Sequence, residues 1–437
     1  MIAINAVSAA LCLGFTWYLL RTCKEHAVYL GYFAFMTSWA LISCFYNDLG
    51  IYNIELVRWT ESTYATAKLS AFYLGFNLGV LFMARLLRNR PFARIDYAFS
   101  LQTLRLGYFK LAAYAATGAA VLYIIYSFAA EGIPVLSGLT RIDFFKQANP
   151  LERYLIIYAP LIAFVLGYYR KKRGLLSVNG VILAAFVIFA VMIGNKFSFL
   201  LILVTAYFAP VYVKYLADHP EARLFTKRRL IRLLAAVCAL LLLAFGSYLY
   251  VFKNVSHAYT ILVNRVLAFQ GQMWWAVDHD VSTNGRYDRD HWRVEIDNIL
   301  APEETEAGRV GMKYLMVKTL GPERAYAIFE GGYLYTHTYP AILIAGAPYP
   351  AALLIQFFAG AIFLIMLYYF YYSLRYRHAI RAGMILLILM PYISVLFSGN
   401  FATFFTLGTV IKIVLLCLLE LGVVGATPFG PARPNAD

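Results

Sequence analysis

The chain is divided into continuous apolar blocks. Each is close to the ~20 residues that an α-helix needs to cross the hydrocarbon of a bilayer. No feature constrains the fold more. Hydrocarbon offers no hydrogen-bond partners, so a spanning chain must satisfy its backbone internally, as a helical bundle or a closed barrel. A barrel would read as short alternating segments, and these blocks do not alternate. Roughly eleven spans are expected, at about residues 2–20, 27–46, 69–87, 108–130, 153–169, 177–193, 198–216, 230–252, 348–373, 383–399 and 401–421. Composition agrees: 62% of the 437 residues are hydrophobic and 14% charged. Soluble domains run at about 45–50% apolar and about 25% charged, so a soluble globular chain is excluded. The 17% aromatic share and low charge exclude a disordered one. The expected fold is an all-α polytopic membrane protein with a large periplasmic loop.

A net charge of +15 would suggest nucleic acid in a soluble protein. Here its location decides. Arg85, Arg88, Arg90 and Arg94 follow the third span, and Arg170, Lys171, Lys172 and Arg173 the fifth. Arg223, Lys227, Arg228, Arg229 and Arg232 follow the seventh, and Arg375, Arg377 and Arg381 the ninth. If spans alternate, all four groups lie on one side, which the positive-inside rule makes the cytoplasm. The charge therefore describes topology, and no nucleic-acid partner is expected. Cys12, Cys23, Cys44, Cys238 and Cys417 sit in or beside apolar blocks without metal-type spacing, so neither a disulfide framework nor zinc is expected. The first residues lack a basic n-region and a clear cleavage site, so no signal peptide is read.

The chain divides into spans one to eight at 1–252, a long polar segment at 253–347, and the last three spans with a short tail at 348–437. The opposite side also carries a loop at 47–68, a second at 131–152 (EGIPVLSGLTRIDFFKQANPLE) and the turn GNKFS at 194–198. A segment as long as 253–347 is usually functional. Its helical patterns at 257–276 and 309–329 read as amphipathic helices on the outer membrane surface. The tail PFGPARPNAD reads as disordered.

Three of the outward-side cations lie against apolar runs: Arg141 after GIPVLSGL, Lys196 in a turn too short to escape its two spans, and Arg265 in the apolar run NRVLAFQ. A cation near the bilayer is paired or functional. A shared anionic ligand accounts for all three, and a diphosphate is the natural one, gripped bidentately by guanidinium with Lys adding a point charge. The ordinary alternative is a local carboxylate for each, or snorkelling. His337 lies in EGGYLYTHTYP with Glu330, Tyr333 and Tyr335 near it; a His or carboxylate there suits general-base work on a hydroxyl, against the common interfacial His among tyrosines. Asp278, His279 and Asp280 resemble metal ligands, but neighbours on a helix point about 100° apart and do not converge. Trp274 and Trp275 suit sugar stacking or, more commonly, interfacial anchoring. Few polar residues lie within spans, chiefly Asn77, Ser398, Asn400 and Lys412, which weakens a proton-coupled transporter reading.

The layout resembles the Wzy-type oligosaccharide repeat-unit polymerases of O-antigen and enterobacterial common antigen. The likeness rests on GIPVLSGLTRIDFF with Arg141, the turn GNKFS with Lys196, Arg265 on a helix of the large loop, and THTYPAILIAGAPYP at 336–350; it covers about residues 100–420 best. The resemblance implies a GT-C-like glycosyltransferase of the bacterial inner membrane, metal-independent, inverting, without cofactor, and facing the periplasm. It implies that undecaprenyl-diphosphate-linked oligosaccharides serve as donor and acceptor. It assigns diphosphate binding to Arg141, Lys196 and Arg265. It suggests His337 or Glu330 as the activating group, and Trp274, Trp275 and Tyr335 as glycan contacts. Where related ligases carry a His-Asn pair this chain has His337–Thr338, which argues against a ligase and leaves the catalytic base open. An O-antigen ligase and a lipid-linked oligosaccharide flippase are the alternatives. Docking of a polysaccharide chain-length regulator is also left open.

Overall fold

A computed structural model describes residues 1–50, 63–88, 106–132, 149–170, 177–193, 197–219, 255–285, 287–301, 307–330, 339–375 and 378–425, with a few single positions between 242 and 249. All regular elements among the described residues are helical. In chain order they are α1 (Ile2–Thr22), α2 (Ala27–Asp48), α3 (Ala65–Arg88), α4 (Leu106–Glu131), α5 (Pro150–Tyr168), α6 (Val178–Met192) and α7 (Phe197–Asp218). Then come α8 (Val255–Val263), a π-helical turn (Asn264–Ala268), α9 (Phe269–Asn284), α10 (His291–Leu300), α11 (Gly311–Leu320), α12 (Pro322–Glu330) and α13 (Tyr339–Gly346). Last are α14 (Tyr349–Arg375), α15 (Ala379–Ser398), a 3₁₀ turn (Phe401–Thr403) and α16 (Leu407–Gly425).

Among the described residues, seven helices are long and apolar enough to cross a membrane: Ile2–Thr22, Lys24–Asp48, Ala65–Leu87, Pro150–Tyr168, Phe199–Ala217, Tyr349–Arg375 and Ala379–Ser398. The chain is a helical, multi-pass membrane protein. The expected fourth, sixth and eleventh spans contain the shorter apolar helices Tyr114–Ala130, Val178–Met192 and Leu407–Leu418. The eighth lies largely outside the described residues.

The bundle is built on the contact between α3 and α14, which run side by side. Apolar side chains gain nothing by leaving lipid for protein, so association depends on close packing and buried hydrogen bonds. The packing comes from glycine: a Cβ at Gly79 would overlap the Phe357 carbonyl, and one at Gly360 the Phe76 carbonyl. The seam is filled by Phe33, Phe76 and Phe363, with Phe33 stacked on Phe76 at 4.0 Å between centroids. The hydrogen bonding includes Asn77 Nδ2 donating to Thr16 Oγ1 at 2.8 Å. Helix starts are legible too. In NPLE, Asn149 caps α5, Pro150 occupies a position that needs no N–H, and Glu152 closes a capping box. Glu152 also accepts from Ser127 of α4.

The bundle has two unlike ends. Arg85 lies in the last turn of α3, Arg170 follows α5, Arg375 ends α14 and Arg381 lies in the first turn of α15, so these cations share one end. The other end collects the start of α1, the end of α2 and the starts of α3 and α14, and it carries the helices between 255 and 346. Asp48 ties this end together. It accepts from Asn5 Nδ2 at 2.8 Å, from Thr66 N and Oγ1 at 3.0 and 2.6 Å, and from Trp275 Nε1 at 3.1 Å.

Candidate functional site

Helix α9 is the centre of the non-basic end. Its sequence, FQGQMWWAVDHDVSTN, mixes apolar and polar residues all round, and residues 271–280 are all buried. It packs along the second half of α2 and against α3, α11 and α13. Close approach is set at Gly271, where a Cβ would overlap the backbone of Cys44. This corrects the expectation of a surface helix over 257–276 for its second half, 271–276; Tyr259 and Thr260 in the first half are exposed. A helix with no polar face has nothing to offer water, and helices cover it on several sides. It also corrects the reading of Trp274 and Trp275 as glycan contacts or interfacial anchors. Each is 1% exposed, and the indole N–H groups are spent on the Ala65 carbonyl at 2.8 Å and on Asp48.

The turn that leads into α9 is π-helical over Asn264–Ala268 and carries Arg265. Wide turns of this kind occur frequently at functional sites. Its carbonyls are fastened to α2: Trp39 Nε1 donates to Val266 O at 2.5 Å, Ser43 Oγ to Ala268 O at 2.6 Å and Asn47 Nδ2 to the same oxygen at 3.2 Å. Ser43 Oγ in turn accepts from Gly271 N at 2.7 Å. The backbone at Arg265 is therefore held by side chains more than two hundred residues away in sequence.

Two polar clusters follow along α9. In the first, the fully buried Asp278 takes Lys68 Nζ at 2.9 and 3.1 Å, Thr63 Oγ1 at 2.6 Å and the Tyr349 hydroxyl. Lys68 also donates to Ser282 Oγ at 2.8 Å. Asp280 instead faces Lys318 at 3.4 Å and accepts from Asn284 at 2.6 Å. The two aspartates of the DHD run thus answer different cations on different helices.

The second cluster joins α10 to α11. His291 and Glu295 stand one turn apart on the buried face of α10, with His291 Nε2 3.4 Å from Glu295 Oε1. Glu295 Oε1 accepts from Gly311 N at 2.5 Å. The His291 ring stacks on Tyr314 at 4.2 Å, and the Tyr314 hydroxyl donates to Asp288 Oδ2 at 3.0 Å. Neither ring nitrogen of His291, nor Glu295 Oε2, makes a hydrogen bond among the described residues. Burial pushes the Glu295 carboxyl up to about 7, opposed by the Gly311 hydrogen bond. Burial also lowers His291 to about 4, opposed by Asp288 and assisted by Lys318. The pair therefore shares a single proton over the range between those values. Groups with such shifts mark candidate functional sites.

Sequence reasoning passed over this pair. The available signal was a His and a Glu four residues apart in HWRVE, on one face of a helix. Arg141, Lys196, Tyr335 and His337 lie outside the described residues. Arg265 is placed by its backbone on the π-helical turn. Glu330 is the last residue of α12 and is exposed.

Residues 305–413 match a family model described as "Family of unknown function (DUF6418)". The match takes in α11 to α15, and so includes Gly311, Tyr314, Lys318 and Tyr349 of the two clusters. No curated protein and no solved structure matches the chain.

Proposed function

We propose that the chain is a membrane glycosyltransferase of the bacterial inner membrane that polymerises oligosaccharide repeat units carried on undecaprenyl diphosphate at the periplasmic face. Arg265 on its π-helical turn carries this reading. A cation in an otherwise apolar run on the proposed outward side sits on a turn type favoured at functional sites, and four hydrogen bonds hold that turn and its continuation to α2. Arg141 and Lys196, on the same side in the alternating topology, complete the proposed diphosphate grip. The reaction moves the growing glycan from its lipid diphosphate onto a hydroxyl of the incoming lipid-linked unit. The anomeric C–O bond to phosphate breaks, the new glycosidic bond forms with inversion, and the hydroxyl proton goes to a base, for which His337 and Glu330 are the candidates. The diphosphate is already a good leaving group, so charge stabilisation and positioning supply most of the catalysis.

Arg265→Ala and Arg141→Ala test this in cells lacking the native gene. Surface glycan falling to one repeat unit per lipid, with protein levels unchanged, is the expected result. Long glycan left unattached to its lipid core points to a ligase, and loss of all outward-facing lipid-linked units points to a flippase. Unchanged chain length in both variants removes the site assignment.

A further inference from the structure

Helix α10 has three sectors. At 100° per residue, His291 and Glu295 fall together on the face buried against α11. Arg293 and Asp297 fall on an exposed polar face. Trp292, Ile296, Ile299 and Leu300 occupy an arc of about 100° between them. The outer half of that arc is open: Ile296 is 54% and Leu300 78% exposed, whereas Trp292 and Ile299 are half-buried. Trp292 packs against Phe401 of the 3₁₀ turn, at 5.5 Å between centroids. That turn joins α15 to α16, so it marks where the apolar helices emerge at the non-basic end. Past it come exposed Phe405 and then, down α16, exposed Leu407, Val410, Ile411 and Val414.

We infer that α10 lies in the surface of the outer membrane leaflet, with Ile296 and Leu300 in contact with lipid acyl chains. Three observations choose lipid over another occupant. The exposed arc is continuous, through Trp292 and Phe401, with the exposed apolar surface of α16. Trp292 stands at the junction, where indole rings concentrate at membrane interfaces. The arc offers two freely exposed side chains, far short of the ~800 Å² per partner that a stable protein interface buries. Arg293 borders the arc on its polar side, where a guanidinium meets lipid phosphates. The consequence is geometric. The face of α10 that touches lipid is joined by one helix turn to the face that holds His291 and Glu295, so the buried pair sits directly above the membrane surface.

The test places p-benzoylphenylalanine, in turn, at Ile296, Leu300, Arg293 and Asp297 of the full chain in liposomes of phosphatidylethanolamine and phosphatidylglycerol. All four positions lie on the outward sectors, and a melting temperature equal to that of the unsubstituted chain verifies the fold. On irradiation, positions 296 and 300 are expected to attach to lipid more than position 297. Attachment of 296 and 300 to a second copy or to another segment of the same chain overturns the inference. So does lipid attachment no greater than at 297. Because the readout is lipid contact rather than glycan length, its failure is distinguishable from failure of the proposed transferase.

Discussion

A carboxyl that is 2% exposed, with one oxygen lacking any partner among the described residues, keeps its proton well into the neutral range, and Glu295 is in that position. Its ordinary value of 4.5 is raised to about 7 in the fold. The stabilising contribution is therefore complete below pH 4.5 and is lost as pH rises through about 7. His291 has the opposite sign: from 6.5 it falls to about 4, so its contribution is present above 6.5 and lost as pH falls through about 4. Glu295→Gln keeps an acceptor for Gly311 N–H and removes the titration. Between about pH 4.5 and 6.5 the two contributions oppose each other, so the melting temperature of the unsubstituted chain is expected to stay level, whereas that of the variant, which keeps only the His291 titration, is expected to rise, a difference worth at most about 3 kcal/mol. Thermal melts across that range check it, and parallel curves would show that Glu295 does not titrate there. The pair was invisible in sequence because burial, not residue type, gives it significance. Trp274 and Trp275 fail in the same way from the other side. Their identity suggests an interface, but Ala65 and Asp48 take both N–H groups inside the protein.

Elements were more legible than side chains, and the reason is the length scale of the signal. A span announces itself over about twenty residues, and α1, α2, α3, α5, α7, α14 and α15 stand where the apolar blocks put them. The cap on α5 was written in NPLE. What the pattern does not encode is which helix covers which. Helix α9 reads as an ordinary polar-apolar stretch until Ser43, Asn47 and Trp39 of α2 are seen to hold its entry. The same holds for the glycines. Gly14 and Gly360 look alike in sequence, yet a Cβ at Gly14 meets nothing within 4 Å, whereas one at Gly360 strikes the Phe76 backbone. Gly14→Ala is expected to change stability by less than about 0.5 kcal/mol. Gly360→Ala forces α3 and α14 apart, at a cost of about 1–3 kcal/mol or more. Melting temperatures in one detergent compare the two directly, and equal values would mean that the seam yields without strain.

On the scale of the whole molecule, every functional statement depends on which side of the membrane the α9–α13 layer occupies. The cations at Arg85, Arg170, Arg375 and Arg381 gather at one end, and the layer sits at the other. Positive charge resists translocation, so the first end is expected in the cytoplasm and the layer on the outward side. Two exposed positions report the two ends: Glu25 in the short turn between α1 and α2, and Asp290 immediately before α10. Cysteine is introduced at each in turn, with the unsubstituted chain as the background for its own cysteines. Of these, Cys12, Cys23 and Cys44 are buried and Cys417 lies on the apolar helix α16. A membrane-impermeant maleimide added to spheroplasts is expected to modify Asp290→Cys at once and Glu25→Cys only after lysis. The reverse pattern would place the Asp278 and Glu295 clusters in the cytoplasm. A polymerase working on outward-facing lipid-linked units would then have no layer on the side where its substrates lie, and the retained cations at Arg141, Lys196 and Arg265 would become ordinary members of the positive side.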